Sequence, residues 1–216
     1  MALQQRSEDG PGRALLEESL AIFRETGNEE GIASKLFTLG NIEYAQGNFV
    51  AARKFLEECV VIFRKLENLV MTAASLYMLG HLESHKGNYA EARMFMEESV
   101  AISRQIGDSW IMSSRLSYLG LIALNEGKHE EARRLLEEGL VIAREIGDQR
   151  SMSDALGVMG LLPLNEEDYA TAQTLLEESL ELLKEREDRY TMVYRLADLG
   201  MLAIRQGNGV KARPLV

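Results

Sequence analysis

Cysteine is almost missing from this 216-residue chain: it has one, Cys59. A lone thiol excludes an intramolecular disulfide and fits a reducing compartment. Only three prolines occur, so little in the sequence interrupts helix. Clusters of Lys and Arg are absent, and 24 basic residues face 34 acidic ones for a net charge of −10. Nucleic-acid binders need a cationic face to displace counterions from phosphates, which excludes that class of partner, and an anionic membrane surface is disfavoured on the same ground. No apolar run reaches the length of a membrane span, and residues 1–12 lack the apolar core of a signal peptide. The expected location is the cytoplasm.

What is present is repetition. Gly40, Gly80, Gly120, Gly160 and Gly200 recur every 40 residues without insertion or deletion, as do Ala52, Ala92, Ala132, Ala172 and Ala212. The pairs Glu17-Glu18, Glu57-Glu58, Glu97-Glu98, Glu137-Glu138 and Glu177-Glu178 keep the same register. Ala, Leu, Glu and Arg dominate, which predicts helix almost throughout. A fixed period in a helical chain is the mark of a stacked array, in which each unit buries its apolar face against its neighbours.

Within residues 29–68, Asn28 is a candidate N-cap, and Leu36, Leu39 and Ile42 form an i, i+3, i+6 core seam. Gly47 ends this first helix, and Asn48 is placed to cap a second one carrying Phe49, Ala52, Phe55, Leu56, Val60, Ile62 and Phe63 inward. Cys59 is matched by Ser19, Ser99, Gly139 and Ser179, so its slot takes a small side chain. Each unit reads as two antiparallel helices.

The order Leu79-Gly80, Gly87-Asn88-Tyr89 and Glu91-Ala92-Arg93 resembles the tetratricopeptide repeat, in its long 40-residue form. That subclass is seen in kinesin light chains, polarity adaptors and bacterial signal-transduction regulators, and "LLEESLAIFRETGN" is most similar to the last. The resemblance implies an all-α fold, a right-handed α-α superhelix (solenoid) of antiparallel helix pairs. Residues 13–28 form a half repeat, 29–68, 69–108, 109–148 and 149–188 are full repeats, and 189–216 is a truncated one. Residues 1–12 are expected to be a disordered tail, and the chain reads as an excerpt of a longer array or of a multidomain protein.

In this family partners commonly lie in a concave groove lined by first helices. Carried onto this register, the groove holds Phe37, Asn41, Tyr44, Tyr77, His81, His85, Tyr118, Leu121, Asn125, Tyr194 and Arg205, with Trp110 one turn earlier. These positions vary between units while core positions hardly change. Exposed aromatics are good binding anchors, although the same side chains also serve to pack adjacent first helices. A chaperone-tail clamp of Lys and Asn is not matched, since no lysine stands at the corresponding positions.

Catalysis is not expected. His81 and His85 lie four apart on one face, but zinc needs a third ligand and Asn41, Tyr44 and Asn125 are weak ones. The repeated Glu pairs follow Arg53, Arg93 and Arg133 by one turn and read as solvated ion pairs. No phosphate-cradling loop or nucleophile–base set occurs. No cofactor or metal is expected.

Pro163 stands inside a first helix that also carries Gly157 and Gly160, which predicts a kink near residues 157–168. The leading expectation is a non-catalytic scaffold that binds a protein or peptide segment. The alternatives are a sensor segment of a larger bacterial signalling protein and self-association through the unfinished ends, where Leu15, Leu20, Phe23, Leu202 and Ile204 lack neighbours.

Overall fold

The computed structural model describes residues 2–162 and 168–207. The backbone divides into two compact units, Met1–Ile106 and Gly107–Val216. Among the described residues every regular element is a helix. The first unit contains α1 (Ala2–Thr26), α2 (Glu29–Ala45), α3 (Phe49–Lys65), α4 (Leu69–His85) and α5 (Tyr89–Ile106). The second contains α6 (Ser109–Asn125), α7 (His129–Ile146), α8 (Gln149–Met159), α9 (Tyr169–Glu185) and α10 (Arg189–Arg205).

Polar caps set where the first helices begin. Asn28 Oδ1 accepts from the Gly31 N–H at 2.9 Å, and Asn68, Asp108 and Asp188 do the same for Met71, Ile111 and Thr191. The turns between units need one left-handed residue. Gly27, Gly107 and Gly147 supply it, but Glu67 and Glu187 adopt φ of 54° and 55° in the same register.

The recurring glycines mark where paired helices approach most closely. A Cβ on Gly40 would fall 2.8 Å from Leu56 Cγ, one on Gly120 2.6 Å from Leu136, and one on Gly160 2.7 Å from Leu176. Most of the predicted seam is buried: Leu36, Leu39, Leu76, Leu79, Leu116 and Leu156 are at most 1% exposed, while Ile42 is half-buried. Cys59 sits fully buried in its small slot beside Ser75, and burial pushes its thiol up to about 11.

Asn48 does not cap α3 through its side chain. It donates to Glu43 Oε2 at 2.7 Å instead, and Asn88 donates likewise to Glu83 Oε2 at 2.6 Å. Glu43 and Glu83 are buried, and arginines from the preceding second helices complete them: Arg13 reaches Glu43 at 2.5 Å and Arg53 reaches Glu83 at 2.9 Å. The Glu pairs divide their work. Glu57 pairs with Arg53 one turn before it, while Glu58 pairs with Arg24 of the previous second helix at 2.9 Å. Arg64–Glu98 and Arg144–Glu178 repeat the second arrangement.

Three departures from the sequence reading have physical causes. First, α1 starts at Ala2, within the segment expected to be a tail, because extending an existing helix costs far less than nucleating one. Second, Leu20 and Leu202 are buried and the Phe23 ring would touch a Cβ on Gly31 at 2.6 Å, so these three have neighbours, whereas Leu15 and Ile204 are 66% and 65% exposed. Third, α8 ends at Met159 after 11 residues, where the other first helices run 17. Pro163 lies outside the described residues, as do Glu166 and Glu167. Met159 is four places before it, the position whose carbonyl loses its N–H partner to a proline.

Candidate partner-binding site

In the first unit the predicted groove residues of α2 and α4 meet. Tyr44 Oη and His81 Nδ1 are hydrogen-bonded at 2.6 Å across the two helices. The Tyr44 ring stands edge-on to both imidazoles, with centroids 5.5 Å from His81 and 5.6 Å from His85. His81 and His85 stack at 5.2 Å, one helical turn apart, and Tyr77 meets His81 edge-on at 5.6 Å. Four side chains from two helices thus form one aromatic cluster. His85 is exposed and the other three are half-buried.

Phe37 and Asn41 lie earlier on α2 and are half-buried. Phe37 packs against the core cluster, so it serves the interior as well as the face. The Asn41 carboxamide oxygen is buried and makes no hydrogen bond. Among the described residues no three His, Cys, Asp or Glu side chains come together as metal ligands would.

In the second unit the same face is more open. Trp110 is 59% exposed on the first turn of α6, Tyr118 and Leu121 are half-buried further along, and Asn125 is exposed at its end. On α10, Tyr194 is 54% exposed and bonds Tyr190 through their hydroxyls at 3.0 Å, while Arg205 is exposed near the last turn.

Between α8 and α10 lies a charged group centred on Arg195, a residue that sequence reasoning missed. Arg195 is buried, donates through Nη1 to Asp198 Oδ2 at 3.0 Å, and keeps its Nε buried without a partner. Burial pushes the Asp154 and Asp198 carboxyls up and the Arg195 guanidinium down, although each charge partly offsets the others. The only signal in the sequence was Gly157, standing where Phe37 and Tyr77 stand in earlier units.

The helix pairs and their register correspond to a known family. The tetratricopeptide repeat model matches residues 31–105 and 112–185. The chain belongs to the tetratricopeptide repeat family. No curated protein matches the sequence. Among solved structures, BtubC from P. vanneervenii is 18% identical with a TM-score of 0.76, over 94% of this chain and 86% of that one. The Rap conjugation gene regulator of plasmid pLS20, solved with the Phr* peptide, is 14% identical with a TM-score of 0.77. A signal transduction ATPase with numerous domains from Pyrococcus horikoshii, which has a tetratricopeptide repeat sensor, is 19% identical with a TM-score of 0.74. Tetratricopeptide repeat matches cover 89% and 94% of this chain in those two cases, but only 53% and 32% of the larger proteins. At these identities the likeness establishes the helical-repeat fold, and the family match indicates no catalytic family. Among the described residues no helix is long and apolar enough to cross a membrane.

Proposed function

We propose that this tetratricopeptide repeat protein is a non-catalytic scaffold that binds a peptide or helical segment along its first-helix faces. The observation that carries this reading is the Tyr44–Tyr77–His81–His85 cluster. It gathers four variable side chains from two helices onto one face, with both aromatic area and hydrogen-bonding edges on offer. Aromatic rings of this kind give large contact area at low entropic cost. The Rap regulator of similar fold, solved with a peptide, supports the same class of ligand.

The partner is to be identified by affinity capture from the native cell and mass spectrometry. Substituting Tyr44, Tyr77 and Tyr118 together by Ala should then abolish capture, with circular dichroism showing that the helical fold is kept, because Tyr44 also packs against the core and bonds His81. Truncating even one true anchor typically costs about 2 kcal/mol or more in binding. Undiminished capture would refute the model.

A second reading is favoured by one observation. This chain spans about a third of the numerous-domain ATPase whose repeats form a sensor. The chain would then be the sensing segment of a larger cytoplasmic signalling protein, its ligand controlling an attached effector domain. An effector domain encoded in frame beside these repeats would support that role, and a free-standing gene would remove it.

A further inference from the structure

The aromatic cluster of the first unit is built from groups that can gain charge, on a face where fixed charge is missing. None of the predicted groove residues of α2 and α4 is Asp, Glu, Lys or Arg, although the chain carries 34 acidic residues. The carboxylates nearest in sequence are turned away from that face. Glu43 on α2 is buried and held by Arg13 and Asn48. Glu83 on α4 is buried and held by Arg53 of α3, Lys86 and Asn88, and Glu91 of α5 closes on the same arginine. What α3 presents to the cluster is the Phe49 ring, 5.9 Å from Tyr44. The phenols of Tyr44 and Tyr77 meet the two imidazoles directly.

Protonation changes what these groups present. While the His81 ring is neutral, its bond with Tyr44 can run either way, since each imidazole nitrogen either donates or accepts. On the imidazolium both nitrogens carry hydrogen, so Nδ1 donates and the Tyr44 hydroxyl turns its own hydrogen elsewhere. His85 is exposed one turn further on and stacks on His81 at 5.2 Å. Two imidazolium rings at that distance repel, so in the free protein the first proton opposes the second. An anion seated on the pair removes the opposition.

We propose that Tyr44, His81 and His85 form a proton-coupled site for an acidic side chain of the bound peptide, an Asp or Glu carboxylate. This rests on the scaffold reading above and adds what the segment carries and what controls its capture. The carboxylate accepts from the imidazolium N–H groups and from the released Tyr44 hydroxyl, and charge-assisted bonds of this kind are the stronger class. The sign follows from linkage. An anion favours the protonated rings, so binding takes up protons and affinity rises as pH falls through the imidazole range, about pH 8 to 5. Each proton taken up contributes at most a factor of about 10 per pH unit.

Display selection of random dodecapeptides on the full chain tests this, run at about pH 6 and separately at about pH 8, on either side of the ordinary imidazole value. Salt of about 0.15 M limits the reach of the chain's net charge of −10 to about 8 Å. The pool from the lower pH should be enriched in Asp and Glu over the input library. A synthetic peptide from that pool should bind at least about 10-fold more tightly at the lower pH, and calorimetry in buffers of different ionisation enthalpy should show net proton uptake. His85→Gln changes an exposed side chain and should by itself shrink that ratio. His81→Gln combined with His85→Gln should equalise the two affinities and abolish the uptake, with helical content retained in circular dichroism. A pool without acidic enrichment, equal affinity at both pH values, or proton uptake that survives in the double variant overturns the proposal. The scaffold reading outlives any of these results if the selected peptides still fail to bind the variant with Tyr44, Tyr77 and Tyr118 replaced by Ala. A selection that enriches no peptide at either pH sinks both.

Discussion

The guanidinium of Arg195 lies flat on the backbone of α8 at Gly157, so close that a β-carbon there would fall 2.1 Å from Cζ and 2.2 Å from Nη1. Gly157 weakens its helix, and its missing side chain makes room for the Arg195 guanidinium. Replacing it with Ala improves helix propensity by about 1 kcal/mol. The same change displaces a buried arginine from Asp198 and leaves that carboxylate without its donor, at a cost of about 1–3 kcal/mol. Gly157→Ala should therefore destabilise the protein in urea unfolding. In an Arg195→Ala background the sign should reverse, because only the propensity gain is left. A double-mutant cycle in which Gly157→Ala has the same sign in both backgrounds would remove Arg195 as the reason for the glycine.

The turns between units offer a stabilising change. Glu67 holds φ at 54° in a register position that Gly27, Gly107 and Gly147 fill elsewhere. A side chain there carries the left-handed penalty, roughly 1 kcal/mol or slightly more. Glycine would remove it, at a smaller cost of about 0.4–1 kcal/mol from the freer unfolded chain. Glu67→Gly and Glu187→Gly should each raise stability by a few tenths of a kcal/mol, visible as a higher urea midpoint with unchanged slope. A lower midpoint in both would show that the Glu side chains themselves stabilise these turns.

Much of this architecture was legible because packing demands repeat. Leu36, Leu39, Ala52 and Leu56 sit in a period that only a stacked helix pair explains, and Asn28 and Gly47 punctuate it by local rules. Tyr44, Tyr77, His81 and His85 were selected because they vary inside that frame, and the structure joins them. Side chains whose role depends on a partner distant in sequence were not legible. Asn48 fits a capping rule but turns back to Glu43, and the buried carboxylates Glu43 and Glu83 are completed by Arg13 and Arg53 from other helices. Hydropathy cannot anticipate a buried carboxylate whose compensation arrives from another helix. Arg195 escaped notice for the same reason.

Glu83 also predicts a pH dependence. Burial acts to raise its pKa, but the hydrogen bonds from Asn88 and Lys86 and the charges of Lys86 and Arg53 prevail and hold it below the usual carboxylate range. A depressed native pKa means the unfolded chain binds the proton more readily. The stabilisation is therefore present above the ordinary Glu value, near 4.3, and is lost as pH falls through the native value. Glu83→Gln should lower the melting temperature at neutral pH by a few degrees. The difference from the parent should narrow as the medium is acidified below the ordinary value, and a constant gap across that range would show that Glu83 does not titrate with unfolding.

Cys59 completes the set, because its slot can be tested against its own repeats. Ser19, Ser99 and Ser179 occupy the equivalent place, and Ser99 and Ser179 use their hydroxyls to reach the first helix. Cys59→Ser should be tolerated within about 1 kcal/mol, since the new hydroxyl inherits the contact that the thiol makes with Ser75. Cys59→Leu adds two carbons to a fully buried site and should cost about 1–3 kcal/mol through overpacking. The thiol itself should resist alkylating reagents in the folded protein, because burial removes access and a pKa near 11 leaves almost no thiolate at neutral pH. Labelling should appear only with global unfolding, its rate tracking urea concentration. Rapid labelling in native buffer would mean that α3 opens locally, and the Leu variant would then be nearly as stable as the parent.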